Sequence, residues 1–536
     1  MRGTASLATF LSLSLLSNGY QWPSDPVFEA LEEMYTLSDG LGSSGFVGGI
    51  EPCSFSPANN RTSGRQAAAE WVRTAYHDMA TADVAAGTGG LDASISFETD
   101  RAENVGDAFN ASFGFFVGFQ NARVSMSDLI ALGAVYAVRV CSGPIIPFRA
   151  GRIDATEAGP KGVPEPQQDL ASHTASFAKQ GFNVSEMIGL VACGHTLGGV
   201  HEEDFPTIVY GETNSDNNTS GMQHFDDSFD EFDNRVAVQW VNSSLSTNAL
   251  ATGFNSTTNS DGRIFAADGN ATMRDLASSN TLFQSRCAEL LARMIDTVPK
   301  GVQLTDVITP IAIKPWNVQL SINDNGQLHL GGYVRLFTSN KSASTSDYEV
   351  NVTWTDHNGA ACEGCSTTTS AQGFPGTIFS GTVMMFNFDT TIDPKVGFSA
   401  FSVEYTSTPG GPVTKADNGG AGFPFSDVVM LQSSASCTSD GTIKAVAAVR
   451  NDQPITAVYI DYTSAETQPG TVMLKMVPSS INMTASSNSS ASSLYTLYNA
   501  EFKVDNAGSS SFNIFAEVGG KVYTDDFKRP NGLNSC

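Results

Sequence analysis

The sequence predicts a multidomain protein in which a mainly α-helical domain is followed by an all-β, sandwich-like C-terminal region. Three observations support this fold class. The chain has 536 residues, more than one ordinary domain contains. Apolar residues recur at helical spacing between Phe28 and about Val318. The pattern changes after Pro315. From there on, apolar and polar residues alternate in strand-like runs, and turns rich in Ser, Gly, Asn and Asp separate these runs.

The first 19 residues have the features of a secretory signal peptide. Arg2 gives a positive start, residues 5–16 form an apolar run, and Ser17-Asn18-Gly19 offers small residues before a cleavage point. That run is too short to span a bilayer, and no later segment reaches about 18 apolar residues. Twelve Asn-x-Ser/Thr sequons also favour export. We therefore expect a secreted, extracellular glycoprotein without a membrane anchor.

Net charge and cysteine count limit the partners and the compartment. The formal charge of −26 argues against nucleic acid and against an anionic membrane surface. Eight cysteines, an even number, predict disulfide bonds in an oxidising compartment, although their connectivity does not follow from the sequence. The pair Cys362 and Cys365 favours a local disulfide, because a zinc site would need a second such pair. Cys437 and Cys536 could close the last domain.

The helical part is predicted from three strongly periodic segments, 127–140, 184–193 and 280–298, with Ser127, Ser185 and Asn280 as N-caps. Strand-like alternation marks six later segments: 348–356, 381–392, 398–407, 457–464, 471–478 and 511–524. These patterns place a helical domain at 20–318, a β-sandwich-like domain at 319–436, and a second β-rich domain, or a continuation of the first, at 437–536. Because two prolines precede the first strand-like run, we expect a chain ending near Trp316 to fold by itself.

Two histidines lie in helical segments 118 residues apart. On the helix predicted over residues 71–80, Arg73 and His77 share one face, because they are four residues apart. His195 follows Ile188 and Val191 on an apolar stripe. A single such histidine is more often a core residue. The pair, with a cation beside one member, matches what an iron porphyrin between two helices requires: one ligand and one acid–base group.

Arg73, Tyr76, His77 and Asp78 form the pattern R-x-x-aromatic-H-D, and a second motif surrounds His195. In these motifs the sequence resembles the plant-type haem peroxidase superfamily, which includes plant, fungal and bacterial members, and most of all its secreted fungal branch. The resemblance extends from about residue 45 to about residue 300.

The resemblance implies haem b as cofactor, with His195 as the iron ligand and Asp261 as acceptor of its ring N–H; Asp268 is the alternative. It implies Arg73, His77 and Asn104 as catalytic residues, with Glu98 helping to orient the distal histidine. Tyr76 would line the haem pocket. The expected activity is the reduction of H2O2 and the oxidation of small phenolic or dye-like one-electron donors through a ferryl intermediate.

The same resemblance implies two Ca²⁺ sites, the distal one being the better supported. The proposed distal ligands are Asp78, the Gly90 carbonyl, Asp92 and Ser94. The proposed proximal ligands are Thr196, Asp226, Ser228, the Glu231 carbonyl and Asp233. Without the resemblance, these segments would be interpreted as a polar loop and a solvated acidic loop.

Three departures from the family pattern bear on the electron donor. Two glutamates and an aspartate bind Mn²⁺ in manganese-oxidising relatives, whereas Glu70, Gln66 and His201 occupy those places here. Leu190 stands where lignin-attacking relatives have a surface tryptophan. Residues 209–214, which match the place of the proximal tryptophan of intracellular relatives, contain no tryptophan.

Two other hypotheses remain open at this stage. One is a haem-free secreted glycoprotein that binds carbohydrate or a surface through its β-rich region. The other is a zinc hydrolase, against which the absence of an H-E-x-x-H motif argues. We expect a monomer whose partners are H2O2 and a small electron donor, and whose β-rich region is a candidate for carbohydrate or cell-wall contact.

Overall fold

The computed structural model describes residues 20–50, 53, 65–211, 221–408, 410–486 and 493–536. The predicted signal peptide at 1–19 lies outside the described residues. Within them the chain forms helices up to residue 295 and, after two short strands inside that region, continues as antiparallel sheets from residue 313 onward. The predicted order, a helical domain followed by an all-β region, is confirmed.

The helices are as follows: α1 (Pro26–Thr36), α2 (Ala67–Met79), α3 (Ala108–Phe116), α4 (Met126–Val140), α5 (Leu170–Lys179), α6 (Val184–Gly194), α7 (Arg235–Val241), α8 (Ala249–Thr252), α9 (Ser260–Phe265), α10 (Ala271–Ser278) and α11 (Asn280–Ile295). The central α4 is buried along almost its whole length, and α2 packs against it. Trp71 of α2 lies edge-on to Phe116 of α3, with 4.8 Å between the ring centroids. This packing gives α2 a fixed position in the domain.

The predicted N-caps were wrong by one or two residues. The Ser125 side chain accepts the N–H of Asp128, Asn183 forms a capping box with Glu186, and the Ser279 side chain accepts the N–H of Leu282. In each case the true cap lies before the predicted one, because the first turn also contains polar residues that resemble caps in sequence.

The strands are β1 (Gly199–His201), β2 (Met222–His224), β3 (Ile313–Ile322), β4 (Leu328–Thr338), β5 (Glu349–Thr355), β6 (Ala361–Thr368), β7 (Ser370–Ala371), β8 (Thr382–Ile392), β9 (Ala400–Thr406), β10 (Thr414–Ala416), β11 (Phe423–Pro424), β12 (Val429–Leu431), β13 (Cys437–Ser439), β14 (Thr442–Arg450), β15 (Ile455–Glu466), β16 (Lys475–Asn482), β17 (Thr484–Ala485), β18 (Tyr495–Lys503), β19 (Ser511–Val518), β20 (Lys521–Lys528) and β21 (Asn534–Ser535).

These strands build two sandwiches. In the first, the sheet β3-β4-β8-β7 and the sheet β10-β9-β5-β6 enclose one apolar core. In the second, the sheet β17-β18-β14-β13-β21 faces the sheet β16-β15-β19-β20 across another core. The first sandwich begins at Ile313, before the predicted boundary at 319. β12 pairs with β14, so the second sandwich includes residues before 437.

Four disulfides connect all eight cysteines. Cys53–Cys141 and Cys193–Cys287 lie in the helical domain. Cys362–Cys365 and Cys437–Cys536 lie in the β region, which confirms both pairings suggested by the sequence. None of the four joins the helical domain to the sandwiches.

A buried ionic cluster joins α1 to the first sandwich. Glu32 is fully buried and bonds Arg335 of β4 at 2.5 Å and Lys314 of β3 at 2.8 Å. Nearby, the rings of Tyr35 and Phe379 meet edge-on at 4.8 Å. A chain ending near Trp316 would therefore keep Lys314 but lose Arg335. Among the described helices, none has the length and apolar character needed to cross a membrane.

Candidate active site

The C-terminal half of α2 presents Arg73 and His77 one helical turn apart. His77 Nδ1 lies 2.9 Å from Asn104 Oδ1, and Asn104 Nδ2 donates to the Glu98 carbonyl at 3.1 Å. That second bond fixes the orientation of the amide, so that Oδ1 accepts the Nδ1 proton of His77. The Nε2 atom is consequently left as a base.

The surroundings of His77 keep its imidazole neutral. Burial, together with the positive charge of Arg73, lowers the pKa of His77 to about 3, against a smaller opposing effect of the Asn104 hydrogen bond. The ring of Phe109 lies 4.9 Å from the His77 ring. A neutral imidazole in this position can accept a proton, which a general base must do.

Arg73 is held beside His77 by backbone and aromatic contacts. Its Nη2 donates to the Val105 carbonyl at 2.8 Å, and its guanidinium carbon lies 4.5 Å above the Phe109 ring. Burial lowers the pKa of Arg73 to about 10, so it stays cationic at neutral pH. A fixed cation next to a neutral base is suited to stabilise negative charge that develops near both.

Tyr76 lies next to His77 on α2, with 6.3 Å between the two ring centroids. Its ring stacks on Phe177 at 5.9 Å, and its hydroxyl is buried beside the Gln180 carboxamide without a hydrogen bond of normal geometry. Burial raises the pKa of Tyr76. The structure thus places the Tyr76 hydroxyl between α2 and the end of α5.

His195 directly follows α6 and is its C-cap, not an interior position as the periodicity suggested. Its N–H donates to the Val191 carbonyl at 2.8 Å, while Nδ1 lies 2.8 Å from Asp261 Oδ2. Asp268 instead caps α10 by accepting the N–H of Ala271, so the structure pairs His195 with Asp261. The Nε2 atom of a half-buried ring is then available as a ligand.

Two neighbours of His195 were not identified from the sequence. Phe225 stacks on the His195 ring, with 4.2 Å between centroids and 12° between planes. Asn248 donates to Asp261 Oδ2 at 3.1 Å and so holds this carboxylate toward the histidine. Phe225 directly precedes the predicted calcium ligand Asp226, but nothing in that segment indicated a contact with His195, and Asn248 looks like an ordinary helix cap because it also caps α8.

The predicted distal calcium residues lie around Asp78. Asp78 Oδ2 accepts the N–H groups of Asp92 and Ala93 at 2.9 and 2.7 Å, and Ser94 N donates to Asp92 Oδ1 at 3.1 Å. Burial and then the charge of Asp92 raise the pKa of Asp78, and burial raises that of Asp92. Two carboxylates that are close and buried without a cation favour a positive ion between them.

The proximal set also comes together. Thr196 Oγ1 lies 3.4 Å from Asp226 Oδ2, and Ser228 Oγ lies 3.0 Å from Asp233 Oδ1. Burial and the nearby Asp233 raise the pKa of Asp226 to about 7. The N–H of Glu231 donates to the Ser228 carbonyl at 2.8 Å, which places Glu231 in the same loop as Ser228 and Asp233. In the described part of the chain, no three His, Cys, Asp or Glu side chains converge as a metal cluster.

The place of the manganese ligands contains a built-in cation. Arg65 is buried and lies 3.8 Å from Glu70 and 2.9 Å from Asp204. Gln66 donates its amide to the carbonyls of Cys53 and Phe229 at 2.7 and 3.0 Å. Arg65 therefore places a positive charge beside Glu70 and Asp204.

The two histidine environments fit a haem group. α2 and α6 lie against each other, and both imidazoles are only half-buried, in contrast to the fully buried side chains around them. In each ring Nδ1 is engaged, by Asn104 or by Asp261, which leaves one Nε2 to bind iron and one to act as a base.

Comparison with known proteins agrees with this geometry. A family model described as "Peroxidase" matches residues 57–285. A "WSC domain-containing protein" of Arthroderma benhamiae is 35% identical over 96% of this chain and 68% of its own length. "L-ascorbate peroxidase 5, peroxisomal" of Arabidopsis thaliana is 37% identical over 26% of this chain. Mitochondrial cytochrome c peroxidase of Aspergillus fumigatus is 34% identical over 25%. The alignments span 51% and 37% of the lengths of these two peroxidases.

Proposed function

The chain belongs to the plant, fungal and bacterial peroxidase superfamily, and on this premise we propose that it is a secreted haem peroxidase. In this proposal it reduces H2O2 and oxidises small phenolic or dye-like donors one electron at a time. The observation that carries the proposal is the pair of fixed histidines, His77 with Asn104 at 2.9 Å and His195 with Asp261 at 2.8 Å.

Haem b, bound through His195, would supply an iron centre that accepts two oxidising equivalents from peroxide and passes them on singly. Asp261 accepts the Nδ1 proton of His195, which makes its Nε2 a more basic ligand. Asn248 restrains the Asp261 carboxylate, so the imidazole keeps one orientation.

On the distal side, His77 moves the proton. Its Nε2 accepts a proton from one oxygen of H2O2 and returns it to the other, which leaves as water. Arg73, cationic and next to the same ring, stabilises the negative charge on the departing oxygen. Asn104 keeps the Nδ1 proton in place, so that Nε2 is unprotonated when peroxide arrives.

Three structural features support phenolic or dye-like donors over more specialised ones. The ring that stacks on His195 is that of Phe225, which lies outside the segment 209–214 matched from the sequence to the tryptophan of intracellular relatives, and a phenylalanine ring is harder to oxidise than a tryptophan ring. Leu190 is buried, so the surface tryptophan route has no counterpart there. Glu70 and Asp204 already share the buried cation of Arg65, and a site that contains its own cation is a poor cage for Mn²⁺.

Calcium and export are part of the proposal. The loop around Asp78 brings together two carboxylates with raised pKa values, those of Asp78 and Asp92, and in the second loop burial raises the pKa of Asp226, a charge arrangement that bound Ca²⁺ would stabilise. Secretion is supported by the predicted signal peptide, the sequons and the four disulfides.

The second candidate function is a haem-free glycoprotein that acts through its β-rich region. It is favoured by the match along almost the whole chain to a protein named for a WSC domain and not for a peroxidase. The arrangement around α2 and α6 argues for the enzyme, because one histidine has an engaged Nδ1 beside a cation and the other has an engaged Nδ1 beside a carboxylate, which matches an acid–base group and an iron ligand.

The test is to produce the full chain in a haem-replete eukaryotic secretion host and compare it with His77→Ala, His195→Ala and, as a matched control, His329→Gln. His329 is exposed and bonds Asp389 in the first sandwich. The parent protein and the control should show a Soret band and react rapidly with H2O2.

His77→Ala should keep the Soret band but react with H2O2 about 10²–10⁴-fold more slowly. His195→Ala should lose the spectral signature of an imidazole-ligated iron. A parent protein without a Soret band, or a His77→Ala protein with undiminished peroxide reactivity, would refute the proposed function.

A further inference from the structure

The outer face of one sheet in the second sandwich has a composition that its structural role does not explain. In the sheet β16-β15-β19-β20, alternate residues point into the core, while Tyr459, Asp461, Asn513 and Phe515 point away from it. Residues on such an outer face are usually small and polar. Here two aromatic rings and two hydrogen-bonding side chains occupy adjacent rows.

The aromatic row forms a flat platform. Tyr459 and Phe515 are direct cross-strand partners, with 5.0 Å between their ring centroids and 11° between their planes. Both rings are half-buried, and neither is part of the apolar core of the second sandwich. By contrast, Phe512 on the same strand is buried against Phe502. Cross-strand stacking stabilises a sheet, but it does not require the rings to stay accessible.

The polar row lies next to this platform. Asp461 is exposed and pairs across the sheet with Asn513 on one side and Ser480 on the other. Asn513 Oδ1 accepts the N–H of Phe527 at 2.7 Å, which fixes the amide and leaves its Nδ2 as a donor. An acceptor and a donor thus stand side by side, next to the rings.

Beyond the polar row, a cleft of 560 Å³ separates this face from the helical domain. Its opposite wall includes Pro26, Ala122 and Arg123. Arg123 pairs with Asp526, and its guanidinium lies 3.9 Å above the Phe527 ring.

A second contact holds the two walls of the cleft together. The buried Gln120 donates to the Leu474 carbonyl at 3.1 Å and accepts the N–H of Leu474 at 2.8 Å. The cleft is thus a fixed groove between two domains, the kind of place where ligands commonly bind.

We infer that this face is a binding site for a neutral oligosaccharide. A pyranose ring has an apolar C–H face that can lie on Tyr459 and Phe515, and hydroxyl groups at its edge that can pair with Asp461 and Asn513. Acidic glycans are disfavoured, since the exposed Asp461 faces the groove, Arg123 is already paired with Asp526, and the chain carries a net charge of −26. The saccharide would lie on the rings of Tyr459 and Phe515 and extend across the polar row into the cleft beside the helical domain.

This inference deepens the proposed carbohydrate contact of the β-rich region, and it does not depend on peroxidase activity. It names the sheet face, the rings and the polar groups that bind. Its consequence is that a polysaccharide surface would be positioned beside the oxidising domain. Donors attached to that polysaccharide would then be concentrated near the enzyme.

The chain itself supplies a competing occupant. Asn482, in the sequon Asn482-Met483-Thr484, is exposed on β16 and is the direct cross-strand partner of Tyr459. A glycan attached there would reach the same platform. The experiment must therefore separate an external saccharide from the protein's own glycan.

The test measures binding of the full chain to laminarin, cellohexaose and chitohexaose by isothermal titration calorimetry. The key variant is Tyr459→Ala/Phe515→Ala. The control is Phe374→Ala, which removes an aromatic ring of 55% exposure from the first sandwich. The parent and the control should bind at least one probe, and the double variant should bind it about tenfold more weakly or worse. Turnover of a dye donor should be the same in all three.

Three results would overturn the inference. The first is that neither the parent nor Asn482→Gln binds any probe. The second is that binding appears only in Asn482→Gln, which would assign the platform to the chain's own glycan. The third is that Phe374→Ala weakens binding as much as the double variant does. Saccharide binding by a protein without peroxidase activity would contradict the proposed function and leave this site standing.

Discussion

Replacing Glu32 with glutamine removes the negative charge at the centre of the interface between α1 and the first sandwich. Glu32 is fully buried and faces Arg335 at 2.5 Å and Lys314 at 2.8 Å, and its Oε1 also accepts the N–H of Ile311 at 3.1 Å. Glu29 shares Lys314 at 2.6 Å. Without Glu32, Arg335 stays buried with no carboxylate directly opposite it.

The loss of stability expected for Glu32→Gln follows from the pKa of Glu32. Burial by itself would raise this pKa, but Arg335 and Lys314 more than offset burial and lower it from 4.5 to about 2. Each tenfold change in proton affinity is worth about 1.4 kcal/mol, so the charged form contributes about 3 kcal/mol to folding. Removing one member of a buried ion pair costs a similar amount, about 3–5 kcal/mol.

The sign of the pH dependence is fixed by the same shift. Because the pKa is lower in the folded than in the unfolded chain, the stabilisation is complete above about pH 4.5 and is lost as the pH falls toward 2. The gap in stability between the parent and Glu32→Gln should therefore be about 3 kcal/mol at pH 7 and clearly smaller at pH 3.

The assay is urea unfolding followed by tryptophan fluorescence at both pH values. The matched control is Glu501→Gln, which breaks an exposed pair with Lys444 and should change stability by less than about 1 kcal/mol. Equal unfolding midpoints for the parent and Glu32→Gln at pH 7 would refute this account of the interface. A stability difference between the parent and Glu32→Gln that grows as the pH falls would refute the predicted direction of the pH dependence.

Three further predictions follow from the site and the β region. Chelation of Ca²⁺ should lower the melting temperature by about 5–10 °C, because saturating Ca²⁺ contributes about 3 kcal/mol; calorimetry without any shift would exclude the calcium sites. Saturable Mn²⁺ oxidation should be absent and Glu70→Ala should leave dye turnover unchanged, since the buried Arg65 already places a cation between Glu70 and Asp204. A micromolar Michaelis constant for Mn²⁺ would contradict this. His357→Gln should lower the free energy of unfolding by about 2 kcal/mol at pH 5 and by less at pH 8. The hydrogen bond to Asp427 raises the pKa of His357, so its stabilisation of the fold is lost as the pH rises through that pKa. A gap that does not change with pH, or an equal effect of His329→Gln, would count against that assignment.

The sequence by itself determined the fold classes and their order, and it pointed to both histidines. Helical and strand periodicities are local, since they depend on residues two to four positions apart. Arg73 and His77 share a helix face for the same reason. The close spacing of Cys362 and Cys365 likewise predicted a local disulfide, which the structure contains.

Tertiary structure alone decided which distant groups meet. Asp261 and Asp268 were both candidates for the histidine partner, and the bond to Asp261 depends on how α9 packs beside the end of α6. The stacking of Phe225 on His195 depends on the course of an intervening loop in the same way.

The sequence also could not show how tightly the helical domain is joined to the β region. Pro310 lies between the last α-helix and the first sandwich and Pro315 lies inside β3, and neither gave any sign that Glu32 is buried against Arg335, 303 residues later. A local pattern reports which face of an element is apolar, whereas the partner of a buried charge is set by the packing of whole elements. The sequence could therefore specify the parts of this protein, and only the folded chain could show how the β region is joined to the oxidising domain.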